Sequence, residues 1–273
     1  MVMLHTAHRW LQVVLIQVGR RIQRFAPRLI SWATDRFPFI ATDGPIPWTP
    51  WEKDLKQARV TLITTAGLYP EHQQPFDMKR LRGDPSYRVI PADTDLSKIR
   101  LSDVQYDRSQ IDRDLNVVFP LARLRELAEA GVIGEVAPRH YSFMGYVTEI
   151  DALRENAHEV ADQLRKDKVD AAVLIPACIL CNQSIGFIQR EIERAGIATV
   201  AIYFVERAAR GVSPPRGLLV EACCGWTLSG AGDAARQQRI LNDALDGLES
   251  IDTPGTLLTG AYEPVGAVCI HCL

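Results

Sequence analysis

The stretch Asp170-Ala171-Ala172-Val173-Leu174-Ile175-Pro176-Ala177-Cys178-Ile179-Leu180-Cys181-Asn182 decides the fold. Its opening is a short, continuous apolar run, the composition of a strand buried on both faces. Pro176 ends the run, because proline donates no hydrogen bond to a ladder. The helical spacing of Ile185, Ile188, Ile192 and Ala195, closed by Gly196, then predicts a helix beginning near Asn182. A buried strand feeding a helix is the half-unit of a parallel α/β sheet.

Outward from this unit the pattern repeats. Residues 60–65, ending in Ala66-Gly67, predict another buried strand, and residues 87–90, 199–203 and 217–220 predict three more. Residues 116–119 are a short apolar run stopped by Pro120, and residues 121–130 read as a helix ended by Gly131. Thr148-Glu149-Ile150-Asp151 has the form of a capping box with Asp at its last position. Ile150, Leu153, Val160 and Leu164 continue it as an amphipathic helix, and residues 233–248 read as a closing helix. Arg139-His140-Tyr141, after Pro138, reads as part of a connection. The expected fold class is α/β, a mostly parallel sheet with helices on both faces.

Before this domain, Leu11, Val14, Leu15, Val18, Ile22 and Phe25 recur at helical spacing and predict an N-terminal amphipathic helix. Its apolar face suits packing on its own domain or across a dimer, or docking on a membrane surface or partner. Residues 10–18 are too short to span a bilayer, and Arg20-Arg21 follows where a signal peptide has small residues. Pro45-Ile46-Pro47-Trp48-Thr49-Pro50-Trp51 excludes regular helix and reads as an ordered linker. The expected organisation is a helical segment at 1–44, an α/β domain at 45–255 and a cysteine-bearing tail at 256–273.

The 273 residues are 47% hydrophobic and 23% charged, with a net charge of −2, so no basic excess points to nucleic acid. With no export signal the chain is expected in the cytoplasm, where its six cysteines serve catalysis or metal binding more readily than structural disulfides. Cys178 and Cys181 arrive at the carboxyl edge of the sheet, where open α/β folds hold their ligands. The following helix aims its unpaired N–H groups and positive dipole end at them, which favours thiolate over thiol. CxxC spacing lets one thiol attack and the other resolve.

Cys269-Ile270-His271-Cys272 is a second CxxC, open to three readings: a shuttle dithiol, half of a zinc or iron–sulfur site with Cys178 and Cys181 (His271 as an alternative ligand), or a plain tail. Cys223-Cys224-Gly225 follows a predicted strand and is either a further relay pair or two small buried side chains. Thr64, Thr65, Arg88 and Arg139 are candidate substrate-binding residues, the arginines as bidentate carboxylate ligands. His72 and His140 are candidate proton donors. No glycine-rich phosphate loop and no HExxH motif is present.

A series of motifs in order carries a family resemblance: Thr64-Thr65-Ala66-Gly67, Gln74-Pro75-Phe76-Asp77, Gly83-Asp84-Pro85-Ser86-Tyr87-Arg88-Val89-Ile90, Asp114-Leu115-Asn116-Val117-Val118-Phe119-Pro120, Pro138-Arg139-His140-Tyr141-Ser142-Phe143-Met144-Gly145 and Cys178-Ile179-Leu180-Cys181-Asn182-Gln183-Ser184. Over residues 45–250 the chain resembles the glycine/sarcosine/betaine reductase selenoprotein B family, in particular the branch of the D-proline reductase selenoprotein subunit. The resemblance implies reductive cleavage of a carbon–nitrogen bond by a selenol or thiol at this strand-to-helix element. It also implies a second, pyruvoyl-bearing subunit, a group this chain does not supply.

The chain departs from the family in carrying cysteine without selenocysteine, in having no histidine within residues 101–107, and in its cysteines at 223, 224, 269 and 272. The expectation is therefore a reductase acting on a small molecule, supplied by a thiol electron donor, as a homo-oligomer or with a second subunit. The alternative is a metal-binding or thiol-relay protein using Cys178, Cys181, Cys269 and Cys272.

Overall fold

A computed structural model describes residues 38–42, 44–102 and 106–262. The N-terminal amphipathic helix and the readings on Cys269, His271 and Cys272 fall outside these residues.

Strand β1 (Arg59–Thr64) lies inside a mostly parallel sheet. On one side follow β7 (Ala171–Ile175), β8 (Ala198–Tyr203), β9 (Arg216–Leu219) and β10 (Thr256–Thr259), each parallel to its neighbour. On the other side lie β6 (Arg139–Phe143), parallel to β1, and β3 (Tyr87–Pro91), antiparallel at the edge. Short β5 (Glu135–Val136) extends the β1 ladder, and β2 (Leu68–Pro70) pairs with β4 (Ile99–Leu101) outside the main sheet.

The apolar runs are continuous because each central strand has helices on both sides. Val60 and Leu62 join Val173 and Ile175 in one core, beneath α1 (Leu121–Glu129) and α5 (Ala234–Ser250). Ile63 joins Ala172 and Leu174 in the other, beneath α2 (Ile150–Lys166), α3 (Ile179–Arg194) and α4 (Glu206–Val212). The α/β class with a mostly parallel, doubly covered sheet is what the sequence led one to expect.

Three local expectations resolve differently. Residues 139–143 form a strand, its polar side chains absorbed by the sheet: the Leu62 N–H donates to His140 Nδ1 at 3.0 Å, and the Leu68 N–H to Ser142 Oγ at 2.9 Å. Residues 115–117 form a 3₁₀ turn capped by Asp114, whose carboxylate receives the Asn116 N–H. No capping box forms at α2, because the Thr148 hydroxyl donates to the Arg82 carbonyl instead.

Helix α3 is buried along nearly its whole length, polar residues included. The segment before β1 accounts for this by acting as a strap. The Ile40 N–H donates to Gln183, Arg190 to the Pro45 carbonyl, and the Thr49 N–H to Glu193 at 2.8 Å. Arg216, fully buried, pairs with Glu193 at 2.8 Å, donates to the Thr49 carbonyl and stacks on Trp48 with its guanidinium carbon 3.6 Å from the ring centre. Burial pushes the Glu193 carboxyl above its usual pKa in spite of Arg216.

Removing one member of such a pair strands the other charge, a loss of about 3–5 kcal/mol. Arg216→Met is expected to lower the unfolding free energy in urea by that amount, and Arg216→Met/Glu193→Met to recover part of it. A loss within about 0.5 kcal/mol, the range of an ordinary surface change, would sink this account.

Candidate functional site

Ile175 ends β7 at the carboxyl edge, and Pro176-Ala177 carry the chain into α3 with Cys178 as its N-cap. Cys178 Sγ receives the Cys181 N–H at 3.2 Å, filling the capping role that a serine or aspartate oxygen usually fills. The two sulfurs form a disulfide, their Cα atoms 4.8 Å apart. Cys181 is fully buried, its sulfur 3.5 Å from the Thr65 carbonyl oxygen at the end of β1; Cys178 is half-buried. Asn182 holds the turn by donating to the Cys178 carbonyl while its own carbonyl receives the N–H groups of Phe204 and Val205 after β8.

The wall on the β6 side is Gly145. Its carbonyl accepts the Ser184 hydroxyl at 2.6 Å. A methyl group placed on its Cα would overlap Cys181 Sγ and lie 3.1 Å from Cys178 Sγ. Only glycine lets this loop close on both sulfurs. Gly225 ties a second loop to the residue before Cys178: its N–H donates to the Ala177 carbonyl at 2.7 Å, its φ is +77°, and a Cβ there would overlap the Asp107 carbonyl oxygen. Tyr106, beside it, donates its hydroxyl to the Ala66 carbonyl at 3.0 Å and packs on the cluster that contains both cysteines.

The sequence candidates separate into those at this edge and those away from it. Thr64 and Thr65 are buried at the end of β1, Thr64 Oγ1 accepting the Ala66 N–H and Thr65 Oγ1 lacking a hydrogen-bond partner among the described residues. The Cys223–Trp226 turn comes to the edge through the Gly225–Ala177 hydrogen bond, with Cys223 half-buried and Cys224 buried near Tyr106.

The two arginines are engaged in holding the scaffold. Arg88 donates to the carbonyls of Gln74, Pro75 and Tyr87 and stacks on Phe76. Arg139 starts β6, at the opposite end of the sheet, where it grips the Asp167 carboxylate with two hydrogen bonds. His72 is exposed in the turn after β2.

His140 is fully enclosed, level with Leu62 on β1. Its Nδ1 accepts a backbone N–H, so the neutral ring carries its proton on Nε2, which has no partner among the described residues. Burial, with Arg125 nearby, pushes its pKa down to about 3. Among the described residues no group of three or more His, Cys, Asp or Glu side chains is placed to hold a metal ion. Likewise, no helix among them is long and apolar enough to cross a membrane.

Fold and site together define a doubly covered α/β protein with a dithiol at the carboxyl edge of its sheet. A family model described as glycine/sarcosine/betaine reductase selenoprotein B matches residues 37–177, ending one residue before Cys178. D-proline reductase subunit gamma of Acetoanaerobium sticklandii is 32% identical over 231 residues, 84% of this chain and 94% of that one. Glycine reductase complex component B subunit gamma of Symbiobacterium thermophilum is 29% identical over 182 residues, 62% of this chain and 40% of that one. Sarcosine reductase complex component B subunit beta of Peptoclostridium acidaminophilum is 30% identical over 161 residues, 57% of this chain and 36% of that one. The chain thus spans nearly all of the first relative and well under half the length of the other two. No solved structure matches it. The chain belongs to the glycine/sarcosine/betaine reductase selenoprotein B family and is an oxidoreductase of the reductase type.

Two expectations follow from this geometry. Gly145→Ala is expected to push the 143–147 loop off α3 and to prevent the Cys178–Cys181 disulfide from closing. Full disulfide formation in that variant, measured by thiol titration at equal oxidant, would contradict the close approach. His140, with a folded pKa near 3 against an unfolded value of about 6.5, takes up its proton in the unfolded state first. Stability present above pH 6.5 is therefore lost as pH falls toward 3, by up to about 1.4 kcal/mol per pH unit from this group. Urea unfolding of His140→Gln between pH 6.5 and 4.5 is expected to show that slope removed; parallel curves for the two proteins would argue against it.

Proposed function

We propose that the chain is the thiol-bearing subunit of a reductase that cleaves a carbon–heteroatom bond of a small molecule through Cys178 and Cys181. The observation that carries this reading is the unequal setting of the two sulfurs. Cys178 is the more exposed, caps α3 and receives an N–H, all of which favour its thiolate. Cys181 is enclosed and faces the Thr65 carbonyl oxygen, an acceptor that favours the protonated thiol. Cys178 is therefore the attacking group and Cys181 the resolving one.

The Cys178 thiolate attacks the carbon and forms a C–S bond as the C–X bond breaks, and the leaving group departs with a proton. The Cys181 thiolate then attacks Cys178 Sγ, forming the S–S bond. The C–S pair goes to carbon, which takes the second proton. One molecule of R–X and two thiols thus give R–H, H–X and a disulfide. The relatives, named for reductases of D-proline, glycine and sarcosine, support a carbon–nitrogen bond in an amino acid or its N-methyl derivative. Their being complex components supports a second subunit that binds the amine, and the dithiol chemistry suits the reducing cytoplasm. His72 is the solvent-accessible histidine of the two candidates for proton donation; His140, neutral and enclosed, takes no part.

In the reduced protein, iodoacetamide is expected to modify Cys178 roughly tenfold or more faster than Cys181. With the partner subunit and D-proline, sarcosine or glycine, Cys181→Ser is expected to accumulate a covalent adduct on Cys178, read by intact mass. Faster modification of Cys181, or an adduct that persists in Cys178→Ser, would overturn the assignment.

A further inference from the structure

Residues 65–67 join β1 to β2, and all but one of the polar groups on their backbone are committed to the scaffold. The Thr65 N–H donates to the Ile175 carbonyl at 3.1 Å, and the Gly67 N–H to the Phe143 carbonyl at 2.9 Å. The Gly67 carbonyl accepts the Ser102 N–H at 3.0 Å. The Ala66 N–H donates to Thr64 Oγ1 at 3.2 Å, and the Ala66 carbonyl accepts the Tyr106 hydroxyl at 3.0 Å. The group left over is the Thr65 carbonyl. It takes no N–H among the described residues and faces Cys181 Sγ at 3.5 Å.

Three of these five anchors are main chain, and two are side chains, Thr64 and Tyr106. The Thr65 carbonyl and the Ala66 N–H belong to one planar trans peptide, so they point in opposite directions. A hydroxyl that grips the N–H on one side therefore aims the carbonyl to the other, at Cys181. Thr64 is fully buried, where solvent has no access to replace its hydroxyl. Tyr106 holds the next peptide plane in the same way, and burial keeps its phenol protonated and able to donate.

We propose that Thr64 and Tyr106 are positioning residues for the dithiol: they hold the Thr65 carbonyl against Cys181 and so fix which of the two thiols ionises first. This rests on the attacking and resolving roles given above. Two thiols three residues apart titrate as a coupled pair, because a thiolate on one disfavours a thiolate on the other. The carbonyl oxygen accepts an S–H and repels an S⁻, so the proton of the pair stays on Cys181 and the charge forms on Cys178 at the N-cap of α3. Once Cys178 carries the adduct its charge is gone, and Cys181 loses its proton more readily. The carbonyl thus orders the two thiol steps.

The test uses the reduced, full-length chain without substrate. The Cβ chemical shift of isotope-labelled cysteine reads ionisation without a reagent having to reach the enclosed sulfur. Each sulfur is titrated with the other removed: Cys181 in Cys178→Ser, and Cys178 in Cys181→Ser. Adding Thr64→Val, or separately Tyr106→Phe, is expected to lower the Cys181 midpoint by about one pH unit, a roughly tenfold gain in ionisation, and to leave the Cys178 midpoint in place. Thr64→Ser keeps the hydroxyl and is expected to keep the parent midpoint. Tyr106→Phe retains the aromatic ring, so the inference is tested even where Thr64→Val does not fold. A Cys181 midpoint that falls in neither variant, a Cys178 midpoint that falls with it, or Thr64→Ser shifted like Thr64→Val would each overturn the inference. The expected shifts in a protein that forms no adduct with the amines would leave it standing and remove the proposed substrate reaction. An adduct on Cys178 with both midpoints unmoved would do the reverse.

Discussion

Burying helix α3 on nearly every side requires partners for most of the polar groups it carries, Gln183 Nε2 being left without one among the described residues, and that requirement organises the molecule. Gln183, Arg190 and Glu193 are met by the strap, Asn182 by the ends of α3 and β8, Ser184 by Gly145, and Gln189 by the carbonyl of Arg216. Each of these bonds ties a different part of the chain to the same helix. Their joint effect is to hold the first turn of α3 at a set height above the sheet, with both sulfurs between the ends of β1 and β6. A helix held only by its apolar face would have freedom to slide; one keyed by six polar residues has very little.

Legibility in the sequence followed where side-chain type and environment agree. The apolar runs at β1, β7 and β8 and the helical stripe of α3 announce themselves because nothing competes with burial there. Strand β6 was hidden by the residues that make it: Arg139, His140 and Ser142 look like loop residues until their partners in β1, α2 and β2 are known. The same blindness affects function. Arg88 and Arg139 have the chemistry of carboxylate ligands, yet their donors are used by loop carbonyls and by Asp167. His140 has the chemistry of an acid and is held neutral by burial. Gly145 and Gly225 went unread because a glycine's role is the space it leaves, which only the neighbouring sulfurs and carbonyls define.

A thiol in a family named for a selenoprotein has to be activated by its surroundings, and the first turn of α3 supplies the means. Unpaired N–H groups and the positive end of the helix dipole converge on Cys178. The Thr65 carbonyl oxygen opposes ionisation of Cys181. In the proposed reaction the two thiols differ in reactivity although they are identical residues three positions apart, and the difference comes from which backbone group each one faces. Exchanging their sequence neighbours would not exchange their roles; only moving the strand end or the helix end would.

The placement of charge reinforces this. The ion pairs of the central strands collect at their amino ends: Lys53 with Asp170, Arg59 with Glu135, and Arg139 with Asp167. These lie where the strands begin and stabilise the fold with partly exposed charges, each contributing modestly. At the carboxyl edge the hydrogen-bonding neighbours of the sulfurs are the Cys181 N–H and the Thr65 carbonyl, with Gly145 against both sulfurs. In the proposed reaction these backbone groups act on the thiolate at short range, where solvent screens them least. The ion pairs at the amino ends and the oriented peptide groups that face the sulfurs thus divide stability and the proposed reactivity between the two ends of the central strands.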